Sequence, residues 1–280
     1  MDLDILRFLV APFAASIILT GIHSYLGVHV VERGVIFVDL ALAQIAALGA
    51  AVAMLLPLAG EDPHGPRVYW ISLVFTFIGA AVFSTIRSRR ARIPQEAIIG
   101  ISYAVASAAS ILAMSKATSE TEHLKDMLVG NILAVSGEEV WHTALLYAAV
   151  GVFHYIFRRQ FLAISMAERN GGRETLGLNV KLWDFLFYAS FGFVVTSSVA
   201  IAGVLLVFCY LIVPSVAAML YSDRIGARLA IGWTMGAIVS ALGIYLSVRL
   251  DLPTGATMVC TFGAALIVMA AARRLFFRTA

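Results

Sequence analysis

Charged residues are scarce in this sequence. Only 13% of its 280 residues are Asp, Glu, Lys or Arg, whereas 61% are hydrophobic, and the mean hydropathy is +0.91. Soluble domains carry about 25% charged residues, so this composition excludes an ordinary soluble protein. The formal net charge is only +3, so we expect no nucleic-acid partner.

Cysteine and the common catalytic motifs are also rare or missing. The two cysteines, Cys209 and Cys260, lie in apolar stretches, which favours small buried side chains over a disulfide or a metal site. The sequence contains no G-x-x-x-x-G-K-[ST] phosphate-binding loop and no H-E-x-x-H motif. We therefore expect neither an enzyme nor a permanently bound cofactor. Residues 1–4 lack a basic start, so no cleavable signal peptide is expected.

What the sequence does contain is a series of apolar stretches, each about one bilayer long. A transmembrane helix needs about 20 mostly apolar residues, and the chain supplies this length roughly nine times. The pattern predicts an all-α, polytopic membrane bundle of about nine (eight to nine) helices, forming one domain in the cell (inner) membrane. The predicted spans are 8–27, 35–58, 69–86, 95–115, 139–158, 182–199, 203–221, 229–248 and 255–272.

The distribution of charge predicts the orientation of these spans. Cytoplasmic loops of membrane proteins carry an excess of Lys and Arg, whereas the acidic connections at 61–62 and 120–126 are expected outside. This assignment alternates correctly over the predicted spans, with the N-terminus outside and the C-terminus inside. Residues 127–135 are too short to cross and are interpreted as a half-helix or re-entrant piece. The basic clusters are Arg87, Arg89, Arg90 and Arg92; Arg158 and Arg159; Arg224 and Arg228; and Arg273, Arg274 and Arg278.

One connection, at about 160–180, is unusually long and polar. The basic pair Arg158 and Arg159 precedes it, which places it in the cytoplasm. Loops of this length in compact bundles are usually functional or disordered. Two interpretations remain open at this stage, a flexible tether and a docking segment for a cytoplasmic partner.

Asp39 is the clearest candidate for chemistry, because ionisable groups within membrane spans are costly and usually functional. Gln44 follows five residues later, about 500° around a helix, which leaves the two side chains roughly 140° apart. Arg33 precedes Asp39 by six residues. The sequence leaves two interpretations of Asp39, a structural ion pair or helix cap near Arg33, or a group on a polar pathway.

Histidine and glutamate add two weaker candidates. His23 lies near the end of the first span, where a hydrogen-bonded interior histidine is more common than a ligand. Glu138, Glu139 and His142 form a second group, since Glu138 and His142 share a helix face at a spacing suited to a divalent ion. This group lies on the predicted outer side, and the alternative is a solvated acidic rim facing a partner.

Several segments then match a known family in order. Glu32-Arg33 precedes Asp39, and further matches follow along almost the whole chain. The other matching segments are EAIIGI at 96–101, LVGNILAVS at 128–136, GVLLV at 203–207 leading to LIVP at 211–214, and Ser247 with LDLPTG at 250–255. In these segments the chain resembles the membrane permeases of ABC importers for manganese, zinc or iron ions.

The resemblance implies a mechanism and a set of partners. Two permease subunits, expected as a homodimer in the lipid bilayer, would form a translocation path. Two ABC ATPase subunits would supply ATP hydrolysis from the cytoplasm, and an extracellular or periplasmic substrate-binding protein would deliver the ion. The resemblance places ATPase docking on the 160–180 loop, at Glu168, Arg169, Asn170, Gly171, Gly172 and Gly177.

The resemblance also implies that Asp39 contacts the transported ion, with Gln44 and His23 as further candidate ligands. The family usually has a His four residues after this Asp, whereas this chain has Ala43, and Gln44 is the nearest polar residue. The resemblance implies a divalent metal ion as the cargo, zinc or manganese before iron. The alternatives are an ABC permease for a metal chelate or another small solute, a secondary transporter driven by an ion gradient, and a scaffold that transports nothing.

Overall fold

The computed structural model describes residues 3–55, 65–86, 94–115, 132–167 and 177–276, and these ranges are helical with no β-strand. They confirm the predicted all-α, polytopic membrane bundle. The acidic connections at 61–62 and 120–126 and the basic cluster at 87–92 lie outside them. The helices are α1 (Leu3–Glu32), α2 (Val38–Leu55), α3 (Pro66–Ile86), α4 (Gln95–Met114), a short 3₁₀ helix (Ile132–Ala134), α5 (Gly137–Ile156), α6 (Arg158–Ser165), α7 (Val180–Tyr221), α8 (Ile225–Leu250) and α9 (Thr254–Phe276).

Seven of the described helices are long and apolar enough to cross a membrane, and the bent pair α5–α6 gives an eighth candidate. The 42-residue helix α7 is broken at Gly203, where φ is 73° and ψ is 161°. At about 1.5 Å per residue, α7 is roughly twice as long as the hydrocarbon core is thick. Its halves, 180–202 and 204–221, correspond to the predicted spans 182–199 and 203–221. Counting them separately gives the predicted eight to nine spans, while the orientation of the termini stays a prediction.

The chain contacts divide into two compact units. The first unit contains Met1–Val31, Leu128–Ala149 and Ile201–Ala280, and the second contains Glu32–Met127 and Val150–Ala200. The prediction of one transmembrane domain over the whole chain stays a prediction.

In the first unit, α1 packs closely on α7 and α8. The Ser215 hydroxyl donates a hydrogen bond to the Ser24 carbonyl at 3.2 Å, and the Trp233 indole donates one to the Gly21 carbonyl at 2.9 Å. A Cβ at Gly236 would lie 2.0 Å from the Thr20 methyl. Small residues permit this close approach of helices, which in lipid depends on van der Waals packing rather than on the hydrophobic effect.

In the second unit, α2 packs against both α3 and α4. The buried face of α2 is rich in alanine and glycine, and a Cβ at Gly49 would lie 2.7 Å from the Ser72 Cα of α3. The hydroxyls of Thr76 and Thr196 form a hydrogen bond of 3.1 Å between α3 and α7. This packing buries the first turn of α2, and Asp39 with it.

Two glycines of α1 provide a test of this packing. A Cβ at Gly27 would lie 2.0 Å from the Leu211 carbonyl oxygen and 2.3 Å from the Ser215 hydroxyl, whereas a Cβ at Gly21 would meet nothing within 4 Å. We expect Gly27→Ala to destabilise the protein by about 1–3 kcal/mol or more, since backbone atoms must move. Gly21→Ala is the matched control and is expected to be neutral or slightly stabilising, by up to about 1 kcal/mol.

The measurement is thermal unfolding in detergent, followed with a thiol-reactive dye. Cys209 is buried, as expected from the sequence, and becomes reactive on unfolding. The expectation was wrong for Cys260, which is exposed and gives a constant background. Equal unfolding temperatures for the two variants would show that α1 is not held as closely to α7 as described.

Candidate functional site

Asp39 lies in the first turn of α2 and is only 1% exposed. Its Oδ1 atom is buried and has no hydrogen-bond partner among the described residues. Buried carboxylates are normally paired or bound to a cation, because an isolated one is very costly. The ion pair with Arg33 that the sequence suggested does not form, since Arg33 pairs with Asp184 instead. Asp39 is therefore the candidate ligand for a transported cation.

The rest of α2 adds little to this carboxylate. Ala43 lies one turn after Asp39 on the same face and is 1% exposed, but its methyl side chain has no atom that could bind a metal ion. Gln44 is 6% exposed, and the helical rotation directs it roughly 140° away from Asp39. The helix thus presents one acidic ligand, with Gln44 buried on a different face.

His23 is fully buried in α1, in the first compact unit, whereas Asp39 belongs to the second. Its Nδ1 atom lies 2.7 Å from the Leu19 carbonyl oxygen, so Nδ1 carries a proton and, in the neutral ring, Nε2 carries the lone pair. The ring packs edge-on against Tyr147, with centroids 6.3 Å apart. This geometry fits the hydrogen-bonded interior histidine, and a role as ligand stays a prediction.

The group at the start of α5 has a structural use. Glu139 accepts hydrogen bonds of 2.8 Å from both the backbone N–H and the hydroxyl of Ser136, and its own N–H donates to that hydroxyl at 3.2 Å. This reciprocal pair is a capping box, which the sequence analysis missed although the Ser-x-x-Glu spacing is its signature. Glu138 and His142 are exposed, and their predicted role in an outer metal or partner site stays a prediction.

Across the part of the chain that the structure describes, no three His, Cys, Asp or Glu side chains come together as a metal site. An ion at Asp39 would therefore need other oxygen donors, such as backbone carbonyls or water. Hard divalent cations accept such ligands readily.

Arg33, which precedes α2, forms a buried ion pair with Asp184 of α7. The sequence analysis did not identify Asp184. Nη1 of Arg33 lies 2.6 Å from Oδ1 of Asp184, and the two side chains are 0% and 1% exposed. Nε of Arg33 donates to the Ser165 hydroxyl at 2.8 Å, and its Cζ lies 3.9 Å from the centroid of the Phe187 ring. Asp184 is an acid near the start of an apolar span, so the criterion that singled out Asp39 also applies to it.

This arrangement uses three properties of a guanidinium group. It is planar, it donates in several directions, and it stacks on aromatic rings. One Arg33 side chain therefore holds a hydroxyl of α6, a carboxylate of α7 and an aromatic face at once. Removing one partner of a buried ion pair typically costs about 3–5 kcal/mol, because the other charge is left unpaired.

A second carboxylate holds the connection between α1 and α2, residues 33–37. Oε1 of Glu96, in the first turn of α4, accepts a hydrogen bond of 2.5 Å from the Ile36 N–H. Gly34 has a φ of 66°, in a region that L-residues rarely adopt and glycine adopts freely. Glu96 and Gly34 thus determine how the chain enters the turn that carries Asp39.

The predicted docking loop is described only at its two flanks. Glu168, Arg169, Asn170, Gly171 and Gly172 lie outside the described residues. On one flank, α6 is bent by 77° from α5 and buries Phe161, Ile164 and Ser165. On the other flank, Gly177 is exposed with a φ of 61°, and the Asn179 side chain caps α7 through the Leu182 N–H at 3.2 Å.

Comparisons with known proteins agree with this architecture. The model of the ABC 3 transport family matches residues 6–273. The manganese transport system membrane protein MntC of Listeria monocytogenes is 30% identical over 190 residues, which cover 65% of this chain and 67% of that protein. The chelated iron transport system membrane protein YfeC of Yersinia pestis is 28% identical over 191 residues, covering 68% and 64%.

A solved structure shows the same fold. PsaBC from Streptococcus pneumoniae, in complex with Fab, superposes with a TM-score of 0.76 at 24% sequence identity. The match covers 94% of this chain and 90% of that chain.

Two ion pairs within the described residues, Arg33 with Asp184 and Arg228 with Asp223, provide a test of the site's support. Asp184→Asn leaves the charge of Arg33 buried, and we expect a loss of about 3–5 kcal/mol of stability. Asp223 pairs with Arg228 at 3.2 Å and is 82% exposed to water. The buried Arg228 keeps its hydrogen bond to the Ser222 carbonyl at 2.8 Å in the variant, so Asp223→Asn is expected to cost only about 0–1 kcal/mol. Unfolding in mixed micelles of increasing SDS content measures both. An equal effect of the two substitutions would contradict the buried pair.

Proposed function

Because the chain belongs to the ABC 3 transport family, we propose that it is the permease subunit of an ABC importer for a divalent metal ion. The observation that carries this proposal is Asp39, a buried carboxylate in a membrane span whose Oδ1 has no hydrogen-bond partner in the described chain. A permease must offer the ion ligands that replace part of its hydration shell, and a carboxylate oxygen is the natural first one.

The donor chemistry favours manganese. Carboxylate, amide, carbonyl and water oxygens suit Mn²⁺, whereas imidazole and thiolate favour zinc. The position one turn after Asp39 is Ala43 rather than a histidine, and the nearest polar side chain is the amide of Gln44. The similarity to a protein named as a manganese transport system supports the same choice, with zinc and iron as the next candidates.

The energy comes from partners in this proposal. The sequence contains no phosphate-binding loop, so ATP is hydrolysed by separate ATPase subunits. These subunits contact the chain at α6 and at the segment that follows it. We call residues 168–176 the docking segment. An extracellular or periplasmic binding protein delivers the ion on the other side, and a second permease subunit, a copy of this chain, completes the path.

A metal chelate is the second candidate cargo. A relative carries the name of a chelated iron transport system, and the loss of an imidazole donor at position 43 leaves fewer direct ligands for a bare ion. Competition between Mn²⁺ and chelated iron for uptake by the same complex separates the two cargoes. A chelate permease would not respond to free Mn²⁺.

The proposal predicts that Asp39→Asn abolishes uptake. This substitution keeps the size of the side chain but removes the charge that attracts the cation, so we expect transport to fall to background while the complex still assembles. The measurement is uptake of Mn²⁺ into proteoliposomes that contain the chain and its ATPase subunits, with and without ATP. Asp251→Asn is the matched control, because Asp251 is exposed and sits in a left-handed cap (φ 52°) that Asn also favours.

Three results would overturn the proposal. ATP-dependent uptake that persists in Asp39→Asn would remove Asp39 from the pathway. Uptake by the wild-type chain alone, without ATP, would indicate a secondary transporter. No uptake of manganese, zinc, iron or an iron chelate by the assembled wild-type complex would indicate a scaffold.

The docking segment makes a separate prediction. Replacing residues 168–176 with Gly and Ser should abolish co-purification of the ATPase from detergent, because it removes the contact surface but keeps the Asn179 cap of α7. The control is the same replacement of residues 56–64, an equally long segment in the connection predicted to lie outside. Retention of the ATPase by the first variant would place docking elsewhere.

A further inference from the structure

Arg33 contacts the chain on both sides of the docking segment. Ser165, which accepts a hydrogen bond from its Nε at 2.8 Å, ends α6, just before that segment. Asp184, which pairs with its Nη1 at 2.6 Å, lies in α7, shortly after it. One side chain thus gathers both flanks of the segment proposed to receive the ATPase.

The same arginine begins the connection that leads to Asp39. Residues 33–37 are held at several points: Glu96 accepts from the Ile36 N–H at 2.5 Å, and the Val38 N–H donates to the Val35 carbonyl at 3.1 Å. Gly34, with a φ of 66°, is where this connection turns. A displacement of the Arg33 side chain therefore acts on a short, restrained segment that ends in the first turn of α2.

The contacts around Arg33 also tie the flanking helices to one another. Nε2 of His154, in α5, lies 2.8 Å from the Ser190 hydroxyl of α7. The His154 ring stacks on Phe161 of α6, with centroids 4.3 Å apart and planes at 13°. Phe161 in turn packs on Phe187, with centroids 6.2 Å apart. A shift of α6 is therefore shared with α7 rather than absorbed locally.

From these contacts we propose that Arg33 is a positioning residue for transport, which couples α6 to the ion ligand Asp39. When the ATPase displaces α6, the paired charges of Arg33 and Asp184 move together, because separating them would leave two unpaired charges buried inside the protein. The movement reaches α2 through residues 33–37 and changes the position of Asp39. This inference rests on the proposed function and adds the route by which ATP hydrolysis acts on the site.

The test separates coupling from stability by replacing both charges with apolar side chains. Arg33→Met combined with Asp184→Leu leaves no buried charge, and such replacements are often neutral for stability, but it removes the directional contacts to α6 and α7. In proteoliposomes with the ATPase subunits, we expect this double variant to assemble and hydrolyse ATP. The Mn²⁺ imported per ATP hydrolysed should fall by about tenfold, within the usual range of coupling between sites.

A merely structural role predicts a different result. If Arg33 serves stability alone, a double variant that is as stable as the wild type should import as much Mn²⁺ per ATP as the wild type. That outcome overturns the proposal. The control is Thr196→Val, which removes a buried hydrogen bond between α7 and α3 without touching Arg33. It is expected to lower stability but not the ratio of uptake to hydrolysis.

A second variant keeps the proposal testable if the double variant does not fold. Ser165→Ala removes one hydroxyl and leaves the ion pair intact, and it should still lower the uptake per ATP, while an unchanged ratio overturns the proposal. Wild-type complex is measured first in every series. If it imports no Mn²⁺ with ATP, the proposed function has failed, and this result is distinct from an unchanged ratio in the variants.

Discussion

The ion pair between Arg33 and Asp184 is the contact on which the second unit depends. Both side chains are almost fully buried, so neither charge is in contact with water and each depends on the other for neutralisation. The pair therefore constrains α6, α7 and the start of the connection to α2 at the same time. Phe187 and Ser165 complete the surroundings of the guanidinium, which makes the constraint directional as well as strong.

Asp39, six residues after Arg33, differs from Asp184 in that no ion pair neutralises it within the described residues. Its Oδ1 is as deeply buried but has no hydrogen-bond partner in the described chain. The two aspartates thus divide the tasks that a buried carboxylate can perform. Asp184 is neutralised by a permanent partner and supports the structure, whereas Asp39 keeps its capacity for a transient cation. Glu96 is intermediate between the two aspartates. Its Oε1 accepts a hydrogen bond from the Ile36 N–H, whereas its buried Oε2 has no hydrogen-bond partner among the described residues.

Much of the architecture was predictable from local pattern. Span lengths follow from the bilayer thickness, and the change from span 182–199 to span 203–221 coincides with the non-helical Gly203 inside α7. The partners of the charges were not predictable. The sequence offered Arg33 as a partner for Asp39 because six residues separate them, but the pair that forms joins residues 151 positions apart. By contrast, the role of Glu139 in capping α5 follows a local pattern, the Ser-x-x-Glu spacing from Ser136.

The sequence by itself determined the membrane environment, the helical class and the suspect residue Asp39, because each follows from composition and from the cost of charge in hydrocarbon. Tertiary structure alone decided which carboxylate is paired with a buried cation. That choice depends on how α6 and α7 pack around Arg33, and no local period or motif encodes a contact between segments so distant in the chain. The lack of a hydrogen-bond partner for Oδ1 of Asp39 within the described residues is therefore a property of the fold, although the residue itself can be read from the sequence.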